Sequence, residues 1–333
     1  MKKIILSLVA AIVATTATYA QSSLLATLSH GGTITTYYGA TALSAAHEAA
    51  VDGDIITLSS GSFNTVTITK GITIRGAGMA IDPTTNSEPT VLTGDFNIVM
   101  DNATNRLTLE GVYCSGEVSI TAELKGATFL KSRFKRINTN SSTGKVENLT
   151  MIHCKVADGM RMDCRGSNFS CLNSIVWGPS YSNGDVTGEF INCVVYTGGP
   201  SNLSYNTFKN CVTLSLNGAF PVSCTLFNNV GLNVENYNLF YNVSNSTNSL
   251  LTDYSAIFKT CTNNTYSDSE TFELTDNAAT TYKGTDGTQI GIYGGFMPFD
   301  PRPSNPRITN AEVGTKSDAN GKLSINVTVQ GVQ

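Results

Sequence analysis

Charged side chains that could hold an anion or move a proton concentrate between positions 131 and 165. Arg133 and Lys155 occupy equivalent positions in two successive copies of a short repeat, so their side chains should point the same way. Guanidinium and ammonium groups hold carboxylates and sulfates by charge-assisted hydrogen bonds. Arg133 and Lys155, together with Arg165, are therefore predicted to bind an acidic ligand. The whole cluster comprises Lys131, Arg133, Lys135, Arg136, Lys155, Asp158, Arg161, Asp163 and Arg165.

The same cluster holds the only candidates for acid–base catalysis that the sequence suggests. Asp158 or Asp163 would act beside Arg161 on an acidic substrate. The alternative is a solvated outer face with local ion pairs, each of which contributes little to stability. We favour the solvated face over a catalytic site. The preference for it over a ligand-binding site is weaker.

A second group of candidate binding residues is aromatic. Trp177 and Tyr196 fall in one column of the repeat with Leu214 and Leu232. Exposed aromatic rings in a row would suit stacking on sugars. Their strands are apolar on both faces, however, and such strands are normally buried on both. The pattern therefore favours a stripe that is covered by a loop or by the C-terminal hairpin.

The repeat itself reads as an apolar residue, Asn, a small residue or Cys, and then Val or Ile. Its asparagines, Asn173, Asn192, Asn210 and Asn228, are separated by 19, 18 and 18 residues. A fixed period of this size is typical of a solenoid, in which each repeat buries its apolar face by stacking on its neighbours. Asn side chains at a turn can bond the backbone and their own copies above and below. These four residues are predicted to form a structural ladder.

The chain has eight cysteines. Cys154, Cys193 and Cys211 share one column of the repeat, where a narrow core needs small side chains. Adjacent turns about 4.8 Å apart would permit a disulfide without requiring one. Free Cys packs as a small hydrophobe, and we favour stacked thiols over bridges.

The elements around these residues are short and almost all β. One amphipathic helix is predicted at 41–51, with Leu43, Ala46 and Ala50 on its apolar face. From 107 to 243, brief strands recur every 18–22 residues without helices between them, which fits coils of parallel sheet. Residues 300–333 comprise a Pro-rich linker and a hairpin that is too small to fold alone. The hairpin should dock near Ile290 and Ile292, await a partner, or pack on the outward stripe, which comprises Ile175, Trp177, Val194, Tyr196 and Val212.

The N-terminus and the composition bound the class of protein. Residues 1–20 have a basic start, an apolar stretch and a small-residue cleavage site, as a secretory signal peptide does. The chain is expected to be exported to the periplasm, the cell surface or the medium, without a membrane span and as a monomer. The charged fraction is 14% and the net charge is −4, which argues against nucleic acid as a partner.

Two segments resemble a known superfamily. The run 42–63, with Gly53-Asp54-Ile55-Ile56-Thr57-Leu58, resembles the entry of right-handed parallel β-helix proteins, the pectin-lyase-like superfamily. The run 286–295 is similar to the closing turn of many secreted members. The resemblance implies an all-β, right-handed parallel β-helix over residues 21–299, with an N-terminal capping helix and a short C-terminal β-hairpin.

The resemblance does not decide the activity. The superfamily includes hydrolases with clustered aspartates and lyases with Ca²⁺-binding carboxylates and a basic residue, and the chain lacks recognisable forms of either motif. We expect an exported, non-catalytic protein that binds polysaccharide or cell-surface glycan, or that is structural, with no metal and no cofactor. The alternative is a polysaccharide lyase or glycoside hydrolase acting on an acidic polysaccharide, and only the lyase would use Ca²⁺.

Overall fold

A computed structural model describes residues 24–100, 106–139, 145–162, 168–180, 187–197, 203, 205–215, 224–232, 247–263, 265–317 and 319–331. The predicted signal peptide, Asp163 and Arg165 lie outside the described residues. Within these ranges, no helix has the length and apolar character needed to cross a membrane.

The described chain is nearly all β, and most of it coils into a parallel β-solenoid with two long sheets. The first sheet has 11 strands, of which only the two at its N-terminal edge are antiparallel to their neighbours. In spatial order they are Thr33–Tyr38, Leu25–His30, Ile55–Leu58, Thr73–Arg75, Thr108–Glu110, Thr128–Leu130, Leu149–Ile152, Asn168–Leu172, Thr187–Ile191, Asn206–Lys209 and Thr225–Phe227.

The second sheet has 13 strands, and each coil contributes to it directly after its first-sheet strand. The main path is Gly61–Asn64, Thr90–Thr93, Val112–Ile120, Arg133–Thr139, Lys155–Val156, Ile175–Trp177, Val194–Thr197, Val212–Ser215, Val230–Leu232 and Ser249–Leu251. Three strands pair beside this path: Phe96–Ile98, Met160–Met162 and Pro179–Ser180. A separate parallel pair joins Glu123–Lys125 to Lys145–Glu147.

The core of the solenoid is built from columns of like residues that stack from coil to coil. Because side chains alternate along a strand, every second residue of the first sheet points inward. Phe190 and Phe208 lie in register, and their rings stack in parallel with centroids 4.7 Å apart. The inward column of the first sheet is Leu109, Phe129, Met151, Cys171, Phe190, Phe208 and Leu226.

The repeated asparagines form the corner between the two sheets. Asn173, Asn192, Asn210 and Asn228 have φ values of 44°, 53°, 58° and 50°, in the left-handed region that Asn tolerates better than most residues. The corner N–H groups of Asn173, Asn192 and Asn210 donate to carbonyls of the next coil, as from Asn192 to Lys209 O at 2.9 Å, and that of Asn228 donates to Thr247 Oγ1. This conformation turns the chain sharply from one sheet to the other, which explains why Asn recurs there.

The residue after each corner bridges neighbouring coils. The thiol of Cys211 accepts a hydrogen bond from the Cys193 N–H at 3.4 Å and donates to its own Lys209 carbonyl at 3.4 Å. Ser174 does the same with oxygen, accepting from the Cys154 N–H at 2.9 Å. The described cysteines are all buried and free. The Cys column is therefore a set of polar bridges as well as a small-residue column.

The N-terminal end of the stack is closed by two elements. The helix Ala42–Ala49, close to the predicted 41–51, buries Ala42, Leu43, Ala46 and His47. The antiparallel pair of Leu25–His30 and Thr33–Tyr38 lies on the edge of the first coil strand, Ile55–Leu58. The sequence predicted the helix but not this pair.

After the last coil, the chain returns along the outside of the solenoid in two segments. Residues 254–282, here called the cover, include a 3-10 turn at Tyr254–Ala256 and the helix Asp276–Thr281. Residues 283–305, here called the strap, run along the corner toward the N-terminal end, from Asn228 to Gly76. The expectation that 286–295 form a closing turn is wrong, because these residues lie beside the corner.

The strap also supplies hydrogen-bond partners for the amides of the asparagine ladder. The Asn173 amide donates to the carbonyls of Ile292 and Gly294 at 2.9 and 2.8 Å, and Asn210 Oδ1 accepts from the Thr285 N–H at 2.9 Å. The sequence predicted bonds between the asparagine amides themselves. In the structure, these amides bond to the strap instead.

The C-terminal hairpin joins Arg307–Ser317 to Leu323–Gln330 in antiparallel register. Leu323, Ile325, Val327 and Val329 are between 44% and 63% exposed, so the hairpin does not cover the outward stripe. The cover packs there instead. Ile290 and Ile292, expected on the last coil, lie in the strap and are buried.

Candidate functional site

The structure places the predicted anion-binding pair beneath the returning chain. Arg133 and Lys155 are in register on adjacent strands. The Arg133 guanidinium lies 4.1 Å from the centroid of the Tyr113 ring and forms an ion pair with Asp268 of the cover. Lys155 lies 5.9 Å from the centroid of the Phe299 ring, and burial lowers the pKa of its ammonium group. A ligand would have to displace Asp268 and Phe299 to reach both cations.

The aromatic column is also covered by the returning chain. Trp177 and Tyr196 are in register, with ring centroids 4.8 Å apart. Tyr196 is 1% exposed, and Tyr266 and Phe272 of the cover pack against its ring. Burial raises the pKa of the Tyr196 hydroxyl well above its ordinary range. The aromatic rings therefore pack against other side chains of the protein. The ligand-binding role predicted for Trp177 and Tyr196 stays a prediction.

The candidate catalytic residues do not assemble into a described site. Asp158 is paired with Arg136 at 2.9 Å, and Arg161 lies on the neighbouring strand Met160–Met162. His153 Nε2 is 3.0 Å from the Met297 carbonyl, which fits a corner hydrogen-bonding role. Among the described side chains, no group of three His, Cys, Asp or Glu could hold a metal ion.

Within the part of the chain that the structure describes, neither the cover nor the strap packs on the polar part of the outer face of the first sheet. Because residues in register share a face, the position three residues before each corner forms an outward column. Its members are hydroxyl residues with one carboxylate among them. From the N-terminal side they are Thr73, Thr108, Thr128, Thr150, Ser170, Glu189, Thr207 and Thr225.

A groove of about 550 Å³ follows this column over four coils, from Thr150 to Thr207. We call it the open groove. Asn148 and Asn168 line one side and bond each other at 3.3 Å. Glu189 Oε1 accepts a hydrogen bond from Ser170 Oγ at 2.8 Å. The surface is thus rich in hydroxyl, amide and carboxylate groups that can exchange hydrogen bonds with a polar ligand.

Tyr205 stands at the end of the open groove. Its side chain is 53% exposed, and its backbone has a φ of 61°, which is rare for an aromatic residue and costs about 1–3 kcal/mol. Such strain persists only where the surrounding structure fixes it. The fold thus keeps an aromatic side chain exposed to solvent beside a row of hydroxyl groups.

A second, smaller pocket lies where the first sheet meets the strap. It encloses about 390 Å³, and we call it the seam pocket. Leu172 and Ile191, two residues beyond Ser170 and Glu189, form its floor. Phe296 and Met297 of the strap form a wall, and Phe296 is 91% exposed. Its polar lining residues are Asn173, Asn192, Lys209, Asn210, Thr285 and Asp286.

The carboxylate of the seam pocket, Asp286, is held by local hydrogen bonds from Thr288. Burial alone would raise the pKa of Asp286, but hydrogen bonds from Thr288 and the nearby Lys209 charge bring that pKa below its ordinary value. Asp286 is therefore a carboxylate at neutral pH. The pocket presents one cation, one anion and an aliphatic floor within reach of a single small group.

Sequence reasoning missed both cavities, although a signal for the groove was present. A hydroxyl residue or Glu stands three positions before each corner residue from Lys131 to Asn228. Strand alternation places that position outward. The seam pocket had no comparable signal, because its wall comes from residues more than 80 positions away from the coils that form its floor.

The class of protein that this geometry defines is a parallel β-solenoid with a returning C-terminal segment. Comparison with protein-family models, with curated proteins and with solved structures found no match for the chain.

Proposed function

We propose that this protein is an exported, non-catalytic β-solenoid that binds glycan in the open groove. The observation that carries the proposal is the open groove, in which outward hydroxyl groups lie beside the exposed Tyr205 with its strained backbone. The role assigned to the cationic pair and to Trp177 and Tyr196 by sequence thus moves to the opposite sheet.

The spacing of the column suits a repeating ligand. Parallel strands place equivalent side chains about 4.8 Å apart along the solenoid, so polar groups recur at a constant interval, with Glu189 among the hydroxyl groups. Sugars offer hydroxyl donors and acceptors for such a row, and a ring face for an aromatic side chain. A binding site for small polar ligands typically combines a few placed polar groups with an aromatic surface.

Membership of the pectin-lyase-like superfamily, a right-handed coil and export belong to the same proposal. They are supported by the signal-like residues 1–20, by the entry run 42–63 and by the recurring Asn corner. The low charged fraction and the hydroxyl-rich surface are compatible with a protein that works among polysaccharides outside the cell.

Catalysis by Glu189 is the alternative, because it is the one carboxylate among the residues that line the open groove. A glycoside hydrolase of the usual kind needs a second carboxyl group about 5–10 Å away, and Asp286 lines the seam pocket beside it. Under this alternative, Glu189→Gln abolishes product release from an acidic polysaccharide. Under the binding proposal, no product is released by either protein.

A glycan array with the mature chain tests the proposal. We expect binding to a polysaccharide, weakened severalfold in Tyr205→Ala and in Thr207→Val, since ring contacts and neutral hydrogen bonds contribute about 1 kcal/mol each. Tyr38→Ala is the matched control, because Tyr38 is 54% exposed on the far edge strand. Equal binding by Tyr205→Ala, Thr207→Val and the control would place the site elsewhere.

A further inference from the structure

The seam pocket differs in chemistry from the open groove beside it. The groove is lined mostly by hydroxyl and amide groups, whereas the seam pocket has the aliphatic floor of Leu172 and Ile191 and the side chains of Phe296 and Met297. An unsubstituted sugar fills the first surface well and has no apolar substituent for the second. The pocket therefore selects for a substituent that is part apolar and part polar.

The polar part of the pocket includes an amide without its full set of partners. Asn192 is 5% exposed, and its Oδ1 is buried without a hydrogen-bond partner. Neighbouring corner residues behave differently, because the amides of Asn173 and Asn210 are bound to the strap. An unpaired buried polar atom is costly. The terminal torsion of Asn is soft, so the amide can turn its oxygen toward an N–H that enters the pocket.

Lys209 supplies the complementary group. It lines the same pocket in register with Ile191 on the next coil, and its charge acts on Asp286. An ammonium group has three N–H donors, so a ligand carbonyl can accept one of them beside the carboxylate. The site therefore offers a donor, an acceptor and an aliphatic surface in one small volume. An acetamido group carries an acceptor carbonyl, a donor N–H and a methyl group in an equally small volume.

We propose that the seam pocket binds the acetamido group of an N-acetylated amino sugar in the glycan that occupies the open groove. The methyl group packs on Leu172 and Ile191, the N–H donates to Asn192 Oδ1, and the carbonyl accepts from Lys209. Phe296 lies beside the sugar ring. This assignment rests on the proposed glycan binding and adds the class of sugar.

Three trisaccharides of one linkage test the assignment: β-1,4-linked N-acetylglucosamine, glucosamine and glucose. They differ only at the second carbon of each ring. We expect the acetylated trimer to bind about tenfold or more tightly than the other two, as the loss of a charge-assisted hydrogen bond implies. Isothermal titration measures the three affinities directly.

Two variants locate the preference. Lys209→Met removes the donor and keeps the aliphatic stem, and Asn192→Gly removes the amide while tolerating the corner φ of 53°. Both should lose the preference for the acetylated trimer. Asn228→Gly is the control, since Asn228 has the same corner conformation, with φ 50°, outside the seam pocket. Melting temperatures of all variants report whether each one folds.

The outcomes separate this inference from the proposed function. Equal affinity for the three trimers, tighter binding of an unacetylated one, or a preference that survives in Lys209→Met would overturn the acetamido assignment. A glycan array whose only ligands lack N-acetyl groups would overturn it and leave the glycan-binding proposal standing. An array without any ligand would overturn both.

Discussion

At the residue scale, the corner of the solenoid is governed by two adjacent positions with different tasks. The first adopts the left-handed conformation, and the second bridges two coils with its side chain. Oxygen, sulfur and amide groups all serve at the second position, as Ser174, Cys211 and Asn229 show. What these side chains share is an acceptor atom that reaches a backbone N–H of the preceding coil.

Substitution of Cys211 separates its size from its hydrogen bonds. Cys211→Ser keeps a donor and an acceptor, and should lower the free energy of unfolding by less than about 1 kcal/mol. Cys211→Val fills the space but leaves the buried Cys193 N–H without its partner, at a cost of about 1–3 kcal/mol. Urea unfolding followed by circular dichroism gives both values. Equal losses in the two variants would mean that only the volume of the side chain matters.

The asparagine corner could be predicted because its signal is local and periodic. Four copies of one short pattern, spaced 18 or 19 residues apart, place Asn at the same point of each coil. The partners of those amides could not be predicted, because Asn173 bonds to Ile292 and Gly294, which are 119 and 121 residues away. A sequence period predicts the elements that repeat in every coil. It does not predict the strap, which occurs once.

At the element scale, the prediction that the outward stripe of the second sheet is covered is confirmed. Of the two covers that the sequence left open, a loop or the C-terminal hairpin, the hairpin is wrong. Val194 and Val212 are apolar and outward, so burial follows from their pattern. The alternation of the hairpin's second strand predicts one apolar face that needs a partner. The cover presents Tyr254, Phe258 and Phe272 to the stripe, in a segment without any regular period that would have revealed its apolar face.

The only tryptophan of the chain reports which element covers the stripe. The rings of Trp177 and Tyr266 have centroids 6.3 Å apart, so Tyr266→Ala should admit water and shift the emission of Trp177 to the red. Removal of residues 306–333 should leave the emission unchanged, since the cover and the strap remain. A red shift in the truncated chain alone would return the covering role to the hairpin.

Asp54 connects three elements at the N-terminal end. Its carboxylate accepts from the Val51 N–H at 2.8 Å after the helix and lies 2.8 Å from His30 Nδ1 at the end of a strand. Burial alone would raise the pKa of Asp54, but these hydrogen bonds bring that pKa below its ordinary value. The carboxylate therefore stabilises the fold above about pH 4, and this contribution is lost as the pH falls below that value.

Asp54→Asn should lower the free energy of unfolding by about 1–3 kcal/mol at pH 7. The difference from the unaltered protein should shrink as the pH falls below about 4, because the unaltered protein then loses the same interactions. Unfolding curves at pH 7, 5 and 3 measure it. A difference that stays constant across this range would show that Asp54 has the same pKa in the folded and unfolded chains.

At the scale of the whole molecule, a solenoid must protect the two ends of its stack. Each coil is stabilised by its neighbours, so an open terminal coil offers unpaired strand edges to other copies. Here the N-terminal end has the helix Ala42–Ala49 beneath the first coil and an antiparallel pair on the first sheet. The outermost strand, Thr33–Tyr38, is largely exposed, which makes the seating of the helix behind it important for solubility.

Leu43 tests whether that helix protects the end of the stack. Its side chain is fully buried, and Leu43→Asp would place a carboxylate there without a partner, at a cost of several kcal/mol. The helix should detach, the first coil should lose its apolar cover, and the protein should melt at a lower temperature and form large species in light scattering. Ser44→Asp is the matched control, because Ser44 is exposed on the same helix and an acidic residue near a helix N-terminus is favourable. A Leu43→Asp protein that stays monomeric with unchanged melting would mean that the antiparallel pair protects the end of the stack without the helix.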